Sequence, residues 1–149
     1  MFPRSSGILL HPSSLFGKYG IGTLGENAVK FIDFLDRSNQ KLWQVFPLGP
    51  TGFGDSPYPF LIDLEKLVLL DLLKIEDIEG AELEKDINYV DFGTLYKKKL
   101  PLLKKAYDNL QNIDNEKILF ELEIFKEENS FWLEDYSLFI SLKYHFKGH

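Results

Sequence analysis

The segment Thr51-Gly52-Phe53-Gly54-Asp55-Ser56-Pro57-Tyr58 joins small residues, a carboxylate, a hydroxyl and two aromatic rings in one short stretch. A sugar asks for that mixture. Its C–H faces pack on rings while its hydroxyls need directed polar partners, so Phe53 and Tyr58 can stack and Asp55 and Ser56 can accept or donate hydrogen bonds. The same residues also suit a turn capped by Asp55 with Tyr58 in the core, and residue type alone does not separate the two readings.

Other chemistry has weaker support. Gly20-Ile21-Gly22-Thr23-Leu24-Gly25 matches the glycine pattern of dinucleotide-binding loops and precedes a helical stretch. That motif wants its first glycine directly after a strand and an acid closing the second strand. Here the residues from His11 to Tyr19 intervene, and the second apolar run ends in Pro47-Leu48. A tight loop leading into a capped helix explains the glycines equally well. His11, His145 and His149 lack paired spacing for a metal, and neither Ser5-Ser6 nor Ser13-Ser14 sits in a nucleophile elbow.

The elements that must carry the Thr51–Tyr58 segment follow from hydrophobic period. Gly7 to Leu10 is a short apolar run ended by His11-Pro12-Ser13-Ser14, which suits a buried strand feeding a loop. Thr23 and Glu26 have capping-box spacing. Ala28, Phe31, Ile32 and Leu35 then recur at helical intervals, predicting an amphipathic helix that ends near Arg37. Lys41 to Pro47, with Leu42, Trp43, Val45 and Phe46, reads as a second strand stopped by Pro47-Leu48-Gly49-Pro50. A connection of this length joins parallel strands and argues for an α/β fold. Both loops after the strands then lie on one face of the sheet, where such folds place their ligands.

From about Asp63 the texture becomes helical. Leu64, Leu67, Leu70 and Leu73 suit a helix, and Glu76 to Asp86 reads as an exposed acidic connection. Leu102, Leu103, Ala106 and Leu110 mark a helix that accepts Pro101 in its first turn or at a kink. Ile118, Leu122 and Phe125, then Trp132, Tyr136, Phe139 and Ile140, continue at helical spacing. Two strands in 149 residues fall short of an eight-stranded barrel, which needs about 250 residues. The chain is therefore either a smaller fold or part of a longer one.

Composition narrows the function class. With 44% hydrophobic and 27% charged residues the chain can bury a core. Its formal charge of -6 argues against a nucleic-acid partner. The one compact basic run, Lys97-Lys98-Lys99, has Asp91 and Lys104 nearby and reads as a mixed solvated face. Cysteine is absent, so neither disulfides nor thiolate chemistry contribute. The apolar run at Ile8, Leu9 and Leu10 is too short for a signal peptide, and no later stretch is long enough to span a membrane, so the expected compartment is the cytoplasm.

Three blocks together carry a more specific likeness. Ser6-Gly7-Ile8-Leu9-Leu10-His11-Pro12-Ser13-Ser14-Leu15, then Tyr19-Gly20-Ile21-Gly22, then Leu42-Trp43-Gln44-Val45-Phe46-Pro47-Leu48-Gly49-Pro50-Thr51-Gly52 through Tyr58, resemble the N-terminal part of the 4-alpha-glucanotransferase (amylomaltase, disproportionating enzyme) family in order and spacing. Phe131-Trp132-Leu133-Glu134-Asp135-Tyr136 is similar to that family's helical insertion, so the resemblance covers nearly the whole chain.

The resemblance implies a (β/α)8 TIM barrel. Residues 1–65 would supply its first β–α–β part with the sugar-facing loop, residues 66–149 a mainly helical inserted subdomain, and the rest of the barrel lies outside this sequence. It implies transfer of α-1,4-glucan segments to glucose or another glucan by a retaining double displacement. The two carboxyl groups of that reaction stand about 5 Å apart. In the family they come from later strands, so no catalytic residue is assigned here and no cofactor or metal is called for. The expected partners are α-1,4-glucans, maltooligosaccharides and glucose. Tyr58 is expected to line the donor site near the cleaved bond, Asp55 and Ser56 to shape it, and Phe53 to offer a stacking ring where the family often has tyrosine. The family continues after Ser-Pro-Tyr with a small loop before Asn-Pro, whereas Tyr58 here runs straight into Pro59-Phe60-Leu61-Ile62-Asp63, so the loop is shortened or a segment is omitted. A carbohydrate-binding or catalytically degenerate barrel relative is the alternative from another class.

Overall fold

The computed structural model describes residues 3–46, 48, 58–83 and 88–146, with the backbone alone for residues 58, 59 and 144. Strand β1 (Gly7–Leu9) pairs in parallel with β2 (Leu42–Gln44), Ile8 opposite Trp43, and helix α1 (Glu26–Arg37) connects them. The β–α–β reading therefore holds. Neither strand is buried on both faces, however: Leu9 and Leu42 are each 53% exposed, because the sheet has two strands among the described residues and no layer covers its far side. What fastens the pair is lateral. Phe31 of α1 sets its ring edge-on to Trp43 at 5.0 Å, and the Trp43 indole donates to the Leu10 carbonyl at 2.7 Å.

Helix α1 starts and stops where its pattern says, but not by the expected cap. The capping residue is Gly25, with no side-chain cap, so the Thr23–Glu26 box does not form. The carboxylate of Asp63 packs against the Gly25 backbone where a Cβ would stand, so the closeness of these two segments selects glycine at that position.

Beyond the strands the chain is helical. A 3-10 turn spans Tyr58–Leu61, followed by α2 (Leu64–Leu69), capped by Asp63 accepting from the Glu65 amide at 3.2 Å. The leucine repeat does not continue as one helix to Leu73. The chain turns at Asp71, φ 58°, which lets Leu72 and Leu73 be buried. The acidic segment expected as an exposed connection contains a short helix, α3 (Ile75–Glu79), and Ile78 and Leu83 within it are buried. Those two apolar side chains turn inward while Glu76, Glu79 and Glu82 stay exposed. Helix α4 (Phe92–Thr94) runs on through a π-helical turn, Leu95–Lys99, into α5 (Leu100–Leu110), with Pro101 in the first turn of α5. Asp91 caps this run, accepting from the Thr94 amide at 3.0 Å and its hydroxyl at 2.7 Å.

The chain divides into two compact units, Met1–Asn112 and Ile113–His149. The second holds α6 (Glu116–Glu128), capped by Asn115, and α7 (Ser130–His145). Trp132 and Tyr136 meet edge-on at 5.8 Å. Apolar side chains are spread around α7 rather than along one stripe, with Phe131 82% exposed. Helices patterned in this way expect cover on more than one side. Among the described residues no helix is long and apolar enough to cross a membrane.

Candidate functional site

Because β1 and β2 are parallel, the loops that follow them leave from the same edge of the sheet, and they touch there. His11, just past β1, stacks on Phe46, just past β2, with ring centroids 6.3 Å apart. The His11 ring also organises its own loop, meeting the Ser13 hydroxyl at 2.7 Å and accepting from the Ser13 amide at 3.2 Å. Its imidazole is thus engaged as a cap. The loop then folds over the glycines: the Gly22 amide donates to the Ser13 carbonyl at 3.0 Å, and a Cβ on Gly22 would meet the Pro12 and Leu15 carbonyls. Gly20 takes φ 78° with the Leu83 carbonyl behind it. These glycines serve close approach of the chain to itself. A carboxylate already stands at the start of α1, where a dinucleotide phosphate would have to lie.

Of the residues expected to meet sugar, Phe53, Asp55 and Ser56 lie outside the described residues. Tyr58 opens the 3-10 turn Tyr58–Leu61, so its main chain is placed. That turn is held firmly at its far end. Phe60 is fully buried with Ile21 and Leu95, and its ring receives Tyr96 edge-on at 4.9 Å. The Leu61 carbonyl accepts from the Leu24 amide at 2.9 Å, and the Phe60 carbonyl accepts from the Lys99 ammonium at 2.6 Å.

Lys99 corrects the sequence reading. It was expected on a solvated basic face, yet it is 0% exposed. Burial pulls its ammonium down to about 8, against a weaker upward pull from the Asp63 carboxylate. The signal was present in the register. Leu95, Lys99, Leu102 and Ala106 fall on one helical stripe, and all four are buried. The charge run distracted from it.

A cleft of about 560 Å³ opens beside these loops, with Ser13, Ser14, Phe16, Gly20, Tyr89 and Phe92 among its walls. The Phe16 and Tyr89 rings are well exposed. Its lining mixes aromatic side chains with polar groups, and the Ser13 hydroxyl among them is engaged by His11. Among the described residues no three acidic or histidine side chains stand together as metal ligands.

A sequence model of the 4-alpha-glucanotransferase family matches residues 10–149. The 4-alpha-glucanotransferase of Clostridium butyricum is 42% identical over 146 residues, covering 92% of this chain, and that of Thermus thermophilus is 41% identical, covering 95%. The chloroplastic/amyloplastic enzyme of Solanum tuberosum is 39% identical over 93% of the chain. Among solved structures, amylomaltase from Streptococcus agalactiae in complex with acarbose superposes with a TM-score of 0.85 at 36% identity, covering 99% of this chain and 31% of that one. The chain spans 29% of the length of the first two relatives.

Proposed function

This chain belongs to the 4-alpha-glucanotransferase family, and from that premise we propose that the whole protein moves segments of α-1,4-glucan from a donor to glucose or another glucan. The observation that carries this reading is the likeness to the family running through residues 10–149 rather than through one motif. Residues 1–65 form the first β–α–β part of a (β/α)8 barrel, and residues 66–149 a mainly helical subdomain inserted before the third strand. Support comes from the parallel β1–β2 pair and from the two loops meeting at its edge through His11 and Phe46.

In this reading Tyr58 lines the donor site, Asp55 and Ser56 shape it and Phe53 offers a ring to the glucan. The nucleophilic carboxylate and the acid/base carboxyl come from parts of the protein outside this chain. They act by double displacement, forming and then discharging a glycosyl-enzyme. Rings and polar groups around the donor keep water away from that intermediate, so a sugar hydroxyl rather than water discharges it. Maltooligosaccharides and glucose are the partners, the mechanism calls on no metal or organic cofactor, and the protein works in the cytoplasm.

Incubation of the whole protein with maltotriose, followed by chromatography, tests this. Glucose and maltopentaose should appear together. Tyr58→Ala should slow their appearance roughly ten- to a hundredfold while leaving the melting temperature within about 4 °C. Unchanged maltotriose would contradict the reading and favour a sugar-binding relative without transfer chemistry.

A further inference from the structure

We propose that Lys99 is a positioning residue for the donor site, fixing the main chain of the Tyr58–Leu61 turn through the Phe60 carbonyl and so setting where Tyr58 stands. The inference rests on the reading that Tyr58 lines that site.

An ammonium with no exposed surface is costly to bury, and a methionine or leucine would fill the same space without that cost. Its single carbon stem therefore does not explain it. What the lysine adds is a donor on a long stem, delivered at 2.6 Å to a carbonyl 39 residues away in sequence. That carbonyl needs one. Phe60 and Leu61 close a short 3-10 turn, whose last carbonyls have no partner within the turn itself. Leu24 satisfies one from the loop before α1 and Lys99 satisfies the other from the π-helical turn. The widened turn, in which the Leu100 amide reaches back to the Leu95 carbonyl, brings three side chains onto the same target. Leu95 packs with the Phe60 ring, the Tyr96 ring stands perpendicular to it and Lys99 takes its carbonyl. Single π-helical turns of this kind occur often beside functional sites. The held residue stands two positions after Tyr58, with the fixed φ of Pro59 between them, so little slack separates the clamp from the Tyr58 main chain.

The test compares the whole protein with Lys99→Met, Lys99→Gln and, as a control for core damage, Leu102→Ala, in maltotriose disproportionation per folded molecule. Lys99→Met should raise the donor KM about threefold or more and lower kcat/KM about tenfold, Lys99→Gln should recover part of the loss by keeping a donor, and Leu102→Ala should lower the melting temperature with KM unchanged. An unchanged KM in both lysine variants would overturn the proposal. So would failure of both to fold, since Lys99 would then serve the core alone. Inactive wild-type protein would overturn the functional reading as well, whereas active wild type with kinetically silent lysine variants would sink this inference only.

Discussion

A lysine without exposed surface holds its proton less tightly than one in water, because burial disfavours the charged form. For Lys99 this gives a signed expectation. Its value falls from 10.5 in the unfolded chain to about 8 in the folded one, with Asp63 as the facing carboxylate that limits the fall. Below about 8 both states carry the proton. Between the two values the unfolded chain carries a proton that the folded chain has released, so stability gains as pH rises through that window. The stability of the wild-type whole protein minus that of Lys99→Met, followed by denaturant titration, should therefore climb between pH 8 and 10.5. Parallel curves would show that Lys99 titrates as if solvated. The same residue shows how far single positions are legible. Its place in the stripe of Leu95, Leu102 and Ala106 was readable, but its partner, a main-chain carbonyl, carries no side-chain signature. Tyr58 was singled out by its neighbours in sequence, and Phe53, Asp55 and Ser56 rest on sequence alone.

At the scale of elements, hydrophobic period located both strands, the span of α1 and the helices from Leu100 onward; α1 and α5 each bury a face of regular spacing, through Ala28 and Leu35 and through Leu102 and Ala106. Where close packing between segments decided, the reading failed. The Thr23–Glu26 box gave way to Gly25 because Asp63 approaches it, and the run from Leu64 to Leu73 broke at Asp71 so that Leu72 and Leu73 could turn inward. The glycines before α1 carry a prediction of this kind. Adding a Cβ at Gly22 drives it against the Pro12 and Leu15 carbonyls, and main chain cannot rotate away as a side chain can. Gly22→Ala should cost about 1–3 kcal/mol, seen as a melting temperature lower by several degrees. No loss of stability would show that the loop after β1 yields more easily than its hydrogen bonds indicate.

At the scale of the whole molecule, the described residues supply two strands, a connecting helix and a set of helices that leave large apolar side chains such as Leu9, Leu42, Phe46 and Phe131 exposed. In the proposed barrel the strands gain neighbours and the sheet a second face, and the chemistry comes from carboxylates elsewhere in the protein. In that reading this chain contributes one edge of the sugar site, through the Tyr58–Leu61 turn that Phe60, Tyr96 and Lys99 hold from behind. The most direct test is a crystal structure of the whole protein with a bound maltooligosaccharide. A glucose unit in contact with the Tyr58 ring, at the edge of the sheet from which the β1 and β2 loops leave, is the expected result. A sugar bound elsewhere, with the Tyr58 ring turned into the hydrophobic interior, would contradict it.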